Sequence, residues 1–478
     1  MRINLRHHRR FYIHFLAAII SLILCRTSDA QELGQEDPGP ALKEDMSELT
    51  EFLTQRISDG VSIGEAAELR GVYGQLVALK NKDGASQLET TLLSYKTIGE
   101  IYERCEEWDR ATKIYERSLN VCIQNYGKDH WKSTDAKLAI ANAKKHAALS
   151  KEQRASLAKA EKDYRPGSFQ IGSLKNRTDC IKSGKNLLET RRKFLGETHL
   201  GSVDLLDELA GLYVQMGNYP SAFTLQTEAL RFAEEHYGTE HPKYAFVSSN
   251  AAFVCQLMGK NKQAESLHLK SLKAVEKTSG TKSKAYGRSL RGLANFYYTA
   301  KDLKSAEKYH RSAVEVYASA FGKIHNQYAL ALAMLADVCR AKGEIVEATK
   351  NYEASLKIFK SNEFAGSAYV VKDGKVDYME AVGDLAIFYN EIKESDKAKE
   401  LLSELNGQLR SVTAGYEMDY AECHHKRGLL QIALGEFKDA KGSLDLALEM
   451  TEKKVGKEHP IYAAILDSRS QLSKRIGN

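Results

Sequence analysis

Proline and tryptophan are scarce in this sequence, at six and two of 478 residues, and nowhere do 18 apolar residues run together. The longest apolar run is short for a membrane-spanning helix of ordinary length. Scarce proline beside abundant Ala, Leu, Glu and Lys excludes a proline-rich linker protein and favours helix. No Cys-x-x-Cys pair occurs, so zinc ribbons and dense disulfide scaffolds are excluded. The HExxH, Walker A and GxSxG patterns are missing as well. Two partial matches dissolve on their context. Ser305-Ala306-Glu307-Lys308 fits the SxxK of penicillin-binding enzymes, with Lys277-Thr278-Ser279-Gly280 resembling a second motif, but it falls in a helix of a regular repeat. Lys182-Ser183-Gly184-Lys185 lacks the upstream Gly that a phosphate loop needs. Neither a catalytic constellation nor a cofactor or metal site is expected.

What is present begins with a leader-like segment. Arg2, Arg6, Arg9 and Arg10 precede a mostly apolar run from Phe11 to Cys25, and Ser28 and Ala30 stand at the −3 and −1 positions before Gln31. The expectation is a secretory signal over residues 1–30 cleaved after Ala30, and a periplasmic or secreted protein; uncleaved, it would be the one membrane contact. Without it the chain carries 64 basic and 62 acidic side chains, so the basic excess belongs to the leader and a nucleic-acid partner loses its support. Six cysteines then remain: Cys105, Cys122, Cys180, Cys255, Cys339 and Cys423. Cys255 and Cys339 hold the same place two repeats apart, which reads as small buried hydrophobes rather than disulfides.

The repeats have a 42-residue period. Gly196, Gly238, Gly280 and Gly322 keep it, and Gly127 and Gly456 sit in the same Gly-x-x-His context. Ala222, Ala264, Ala306 and Ala348 form one ladder, continued by Ala398 after 50 residues and by Ala440 after 42 more. Ala210, Ala252, Ala294, Ala336, Ala386 and Gly428 form a second ladder with the same intervals. Each unit therefore reads as helix A, a turn punctuated by Gly217, Gly259, Gly343 or Gly435, helix B and a loop. Small residues mark where the helices cross. His130, His199, His241, His325 and His459 each stand at the start of a different helix A, where capping or packing is the expected role. Cys423-His424-His425 cannot converge on one ion, because adjacent helical residues point about 100° apart.

This pattern resembles the tetratricopeptide repeat in the 42-residue form of kinesin light chains. The residues that carry the resemblance include Leu209-Ala210, Tyr213, Gly217-Asn218-Tyr219, Ala222, Ala229-Leu230 and Tyr237-Gly238-Thr239-Glu240-His241-Pro242. It implies an all-α fold, an α-solenoid whose helix pairs wind into a right-handed superhelix, and a protein or peptide partner held on the concave face. The expected organisation is a disordered start with N-terminal helices over 31–91, a repeat over 92–131, a degenerate helical unit with a loop over 132–198, and an array over 199–478 closed by a polar helix from Ile461 to Ile476. Within the degenerate unit, a loop from Arg165 to Thr178 and a helix from Asp179 to Leu195 are expected. By the resemblance, helix A lines the concave face. The candidate partner-binding residues are then Phe246, Asn250 and Phe253 in one unit, Arg288, Arg291, Asn295 and Tyr298 in the next, and Asp337 and Arg340 in the third. Arg291 and Asn295 resemble part of a carboxylate clamp, which Met334 leaves incomplete. A self-associating envelope component is the alternative reading, with a homo-oligomer as its consequence.

Overall fold

The computed structural model describes, besides scattered positions between 44 and 55, residues 87–164, 174–363, 370–410 and 417–476. The leader and the expected helices over 42–57 and 62–80 lie wholly or largely outside the described residues. From Gln87 on, the described residues form eighteen helices and no strand. The first three are α1 (Gln87–Arg104), α2 (Trp108–Tyr126) and α3 (Trp131–Ala147). Then come α4 (Lys151–Asp163) and α5 (Leu174–Leu195). Five A–B pairs with their neighbours follow: α6 (Gly201–Gln215) with α7 (Tyr219–Tyr237), α8 (Pro242–Leu257) with α9 (Asn261–Ser279), α10 (Lys284–Thr299) with α11 (Leu303–Phe321), α12 (Asn326–Lys342) with α13 (Ile345–Glu363), and α14 (Val370–Glu391) with α15 (Ser395–Arg410). The last helices are α16 (Glu417–Leu434), α17 (Phe437–Val455) and α18 (Pro460–Ile476). The fold is an all-α solenoid of helix pairs.

Two compact units divide the chain, residues 1–154 and 155–478. In the first, α1 and α2 enclose Tyr95, Ile98, Ile101, Tyr102, Ile114 and Tyr115. Gly99 permits that packing, since a Cβ there would lie 2.2 Å from the Tyr115 ring. In the second, both small-residue ladders are fully buried where the helices cross. Gly428 continues the second ladder because a Cβ would meet Leu444 at 2.8 Å.

The loops repeat as faithfully as the helices. Six of the helices that close a unit end at a Gly with positive φ, at 127, 196, 238, 280, 322 and 456, where a side chain would be strained. Three residues later the imidazole Nδ1 of His130, His199, His241, His325 and His459 accepts the backbone N–H two residues on. Capping is therefore what the five histidines do. His130, His241 and His325 also pack on Tyr126, Tyr237 and Phe321, with ring centroids 4.3–4.7 Å apart. At the A–B turn, left-handed backbone falls on Gly217, Gly259, Gly343 and Gly435, and on Glu106, Lys301 and Lys393 in units without that glycine.

All six described cysteines are buried. One expectation is corrected. The helix before Leu195 begins at Leu174 rather than Asp179, so residues 174–178 are not loop. The physical reason is Arg177, which is buried and donates from Nη1 to the Lys454 carbonyl at 2.6 Å, fixing this turn as helix.

Candidate functional site

The A helices of the second unit carry the candidate residues. Phe246, Asn250 and Phe253 project from one face of α8, and Arg288, Arg291, Asn295 and Tyr298 follow an i, i+3, i+7, i+10 stripe on α10. Asp337 and Arg340 stand on α12. None of the nine is buried along its whole length, although the carboxyl end of Asp337 is enclosed. Phe246 and Phe253 are each 48% exposed, although their helix is otherwise rich in buried residues.

Polar contacts run from each A helix to the next. Asn250 donates to both carboxylate oxygens of Asp207 on α6 at 3.0 Å. Gln256 donates to Thr299 at 2.8 Å, and Arg291 to Gln327 at 3.2 Å. Arg340 forms a two-pronged pair with Glu391, its Nε to Oε2 distance being 2.7 Å. Lys426 on α16 lies 2.9 Å from Asp384 on α14. His425 meets Ser468 at 2.9 Å. These partners are separated by 36–51 residues, most by close to one repeat. The same surface of consecutive A helices is thereby stitched edge to edge.

A second polar row lies beneath it on the B helices. Gln226, His268, His310 and Tyr352 are 42 residues apart and buried. Gln226 donates to Asp207 at 2.7 Å, and the Tyr352 hydroxyl donates to Asp337. His268 lies under Gly292, whose missing Cβ would come within 3.4 Å of the ring. Burial pushes His268 down to about 4, and burial with Arg291 does the same to His310. Both imidazoles are therefore neutral over the physiological range.

Further along the row the balance turns acidic. Burial, then the nearby Asp384, pushes Asp337 up to about 6. Burial pushes Glu380 up to about 7 against the pull of Lys426. Lys426 itself is raised, because Asp384 and Glu380 outweigh its burial. Reading the nine candidates alone missed Asp207, Glu380, Asp384, Glu391 and Lys426. The signal was available: the first four lie on the A helices before and after the candidates, and Lys426 stands 42 residues after Asp384.

The Cys339, Glu344 and Glu347 ligand atoms lie within 4.8 Å of one another. Their chemistry is that of an ion-pair network. Lys342 contacts Glu344 at 2.5 Å, Arg311 contacts Glu347 at 2.8 Å, and burial with both carboxylates pushes the Cys339 thiol up to about 11. A protonated thiol beside two neutralised carboxylates is a poor metal ligand set. Among the described residues, no helix is long and apolar enough to cross a membrane.

Comparison with known proteins gives this architecture its family context. A tetratricopeptide-repeat model matches residues 204–277, 243–319 and 285–361, and a second matches 94–125. These stretches are tetratricopeptide repeats. No curated protein matches the chain. Among solved structures, BtubC (BKLC) from P. vanneervenii is similar at 16% identity and a TM-score of 0.40, covering 55% of this chain and 94% of that one. A putative kinesin light chain from Podosopora anserina with nearly identical TPR-like repeats is 20% identical with a TM-score of 0.37, covering 44% and 96%. The apo form of RapI is 14% identical with a TM-score of 0.45, covering 63% and 98%.

Proposed function

We propose that the protein is a non-catalytic scaffold that binds a protein or peptide on the A-helix face of its second unit. The observation that carries this reading is the pair Phe246 and Phe253, two half-exposed aromatic rings on one face of a helix that otherwise buries most of its apolar residues. Exposed aromatics among polar groups are what interface anchors look like. Asn250 stands between them, and the neighbouring stripe adds Arg288, Arg291, Asn295 and Tyr298, donors suited to carboxylates and carbonyls. Asp337 and Arg340 close the far edge of the patch.

We further propose export to the periplasm or the extracellular space, on the leader-like residues 1–30. Intact mass of the exported protein should begin at Gln31. A mass retaining residues 1–30 in the membrane fraction would instead assign an anchor.

The binding reading is tested by crosslinking from the native compartment with wild type and with an Arg288→Glu/Arg291→Glu double variant. The wild type should capture a discrete partner, and the double variant should lose it without a change in circular dichroism. Full retention of every partner by the variant would remove the function from this face.

One observation favours the alternative of self-association. Val346 is 85% exposed beside the half-exposed Ile345 at the start of α13. A mass that rises with concentration, and falls back in Val346→Asp, would select that reading.

A further inference from the structure

Arg177 is the most anomalous charge in the described structure. The residue is only 5% exposed, and among the described residues its hydrogen bond goes to a neutral acceptor, the Lys454 main-chain oxygen. Nε is buried without a partner. Leaving a buried cation without an anion costs several kcal/mol, and folded proteins seldom tolerate it. Among the described residues Arg177 has no ion pair, and burial holds it below the usual arginine range.

A second buried donor lies close enough to feel the charge of Arg177. His459 is also buried, and its Nδ1 accepts the Ile461 N–H at 3.2 Å. An acceptor Nδ1 leaves the proton of the neutral ring on Nε2, which has no acceptor among the described residues. Burial and the nearby Arg177 both hold His459 below the usual histidine range, so the ring stays neutral and donates. The seam between α5 and the α17–α18 turn is tight. Gly217 packs against it, and a Cβ there would meet Pro460 at 2.9 Å and the His459 ring at 3.5 Å. Arg177 thus joins segments 277 residues apart.

We propose that Arg177 and His459 form a binding site for a small oxyanion at this seam. A phosphate-class ion accepts from a guanidinium and an imidazole N–H together, and it supplies the charge that the protein lacks there. The shared chemistry is an oxyanion, whether free or carried on a phosphorylated chain. The near-complete burial of Arg177 favours the free ion, since a peptide cannot follow its phosphate into the seam.

The test uses the full-length chain at neutral pH and constant ionic strength, with inorganic phosphate as the probe and its phosphorus resonance as the readout. Wild type should bind one phosphate saturably. Arg177→Met should bind at least ten times more weakly, and its thermal midpoint in phosphate-free buffer should be no lower than that of wild type, because an uncompensated charge has been removed. Arg177→Lys keeps the charge without the planar fork and should also bind more weakly, which keeps the test open if the Met variant does not fold. A phosphoserine hexapeptide should not compete. Absence of saturable binding by wild type, or equal binding by all three proteins, would overturn the site and leave water as the partner of Nε. Tighter binding of the phosphopeptide than of phosphate would overturn the assignment to a free ion.

Discussion

Two stretches of the second unit share one template and differ in what they lay over it. From α8 to α11, the face carries exposed phenylalanines and arginines above two neutral imidazoles. From α12 to α17, it carries Asp337, Glu380, Asp384 and Glu391 against Arg340 and Lys426. The alanine ladder of the B helices is the same in both: Ala264 and Ala306 are as buried as Ala348, Ala398 and Ala440. Crossing geometry is thus fixed by residues that cannot grow. Partner chemistry is left to positions that can vary without disturbing the crossing. A solenoid separates these duties because each repeat touches only its neighbours.

The largest expected effect falls in the acidic stretch. Lys426 faces Asp384 at 2.9 Å with the two side chains only 21% and 30% exposed. Lys426→Met would strand Asp384 and Glu380 and should cost about 3 kcal/mol, near the lower end for breaking a buried pair. The counterpart in the other stretch, Asn250→Ala, removes a neutral donor from Asp207 and should cost about 1 kcal/mol. Urea unfolding of both variants measures the difference. Equal losses would erase the distinction between the two stretches.

The template, by contrast, should respond alike in both places. Ala306→Leu and Ala398→Leu each force a larger side chain into a closed crossing and should each cost about 2 kcal/mol. Lys308→Gln, on the exposed side of the same helix as Ala306, should shift the midpoint by less than about 0.5 kcal/mol. A cost confined to one of the two alanines would mean that the crossings are not equivalent.

How much of this was legible beforehand follows from the same division. The ladders, the A–B turns and the Gly-x-x-His loops could be read because each repeats in register. Where the repeat lapses, local pattern failed. The turn from Leu174 to Thr178 looked like loop, yet it is helical through the contact of Arg177 with Lys454, and no local rule reports a partner 277 residues away. The pairing along the face was hidden for a similar reason. Arg340 counts as a free cation in the sequence, but Glu391 answers it across the 50-residue interval that interrupts the period. Glu106, Lys301 and Lys393 in left-handed backbone were likewise hidden, because only glycine announces that conformation.

The two stretches should also titrate in opposite senses. His268 and His310 are depressed to about 4 in the folded state, so the stability they contribute is complete above the ordinary histidine value of about 6.5 and is lost as pH falls towards 4. Asp337 and Glu380 are raised to about 6 and 7, so the stability they contribute is complete below about 4 and is lost as pH rises through 7. Between pH 4 and 7 the two effects oppose each other, and the wild type should show a shallow profile. A His268→Gln/His310→Gln variant, using the residue that position 226 already carries, should gain relative stability at the acid end by about 1–2 kcal/mol. Asp337→Asn/Glu380→Gln should do the same at the neutral end. Thermal midpoints at pH 4.5 and 7 check both. Parallel shifts in the two variants would show that the stretches do not differ electrostatically.

The smallest expected effect on stability is the one that matters most for binding. Phe253 is half exposed on α8 and is not a member of the apolar cluster built around Ala251, Ala252, Cys255, Leu267 and Leu293. Phe253→Ser therefore removes little buried area and should change unfolding stability by less than about 0.5 kcal/mol. Phe246→Ser should behave alike, since Phe246 points to the same side seven residues away, about two helical turns. If these rings are anchors for a partner, each substitution should weaken capture at least tenfold, because truncating a central aromatic at an interface commonly costs about 2 kcal/mol or more. Arg340→Ala offers the contrast from the other stretch. Its guanidinium is already committed to Glu391, so capture should change by less than about threefold, while stability falls by roughly 1 kcal/mol through the lost pair. Paired measurements of unfolding and partner capture on the three variants separate the outcomes. Strong destabilisation by Phe253→Ser would mean that the ring belongs to the core. Loss of capture in Arg340→Ala with full retention in both serine variants would move the binding surface from the aromatic stretch to the acidic one.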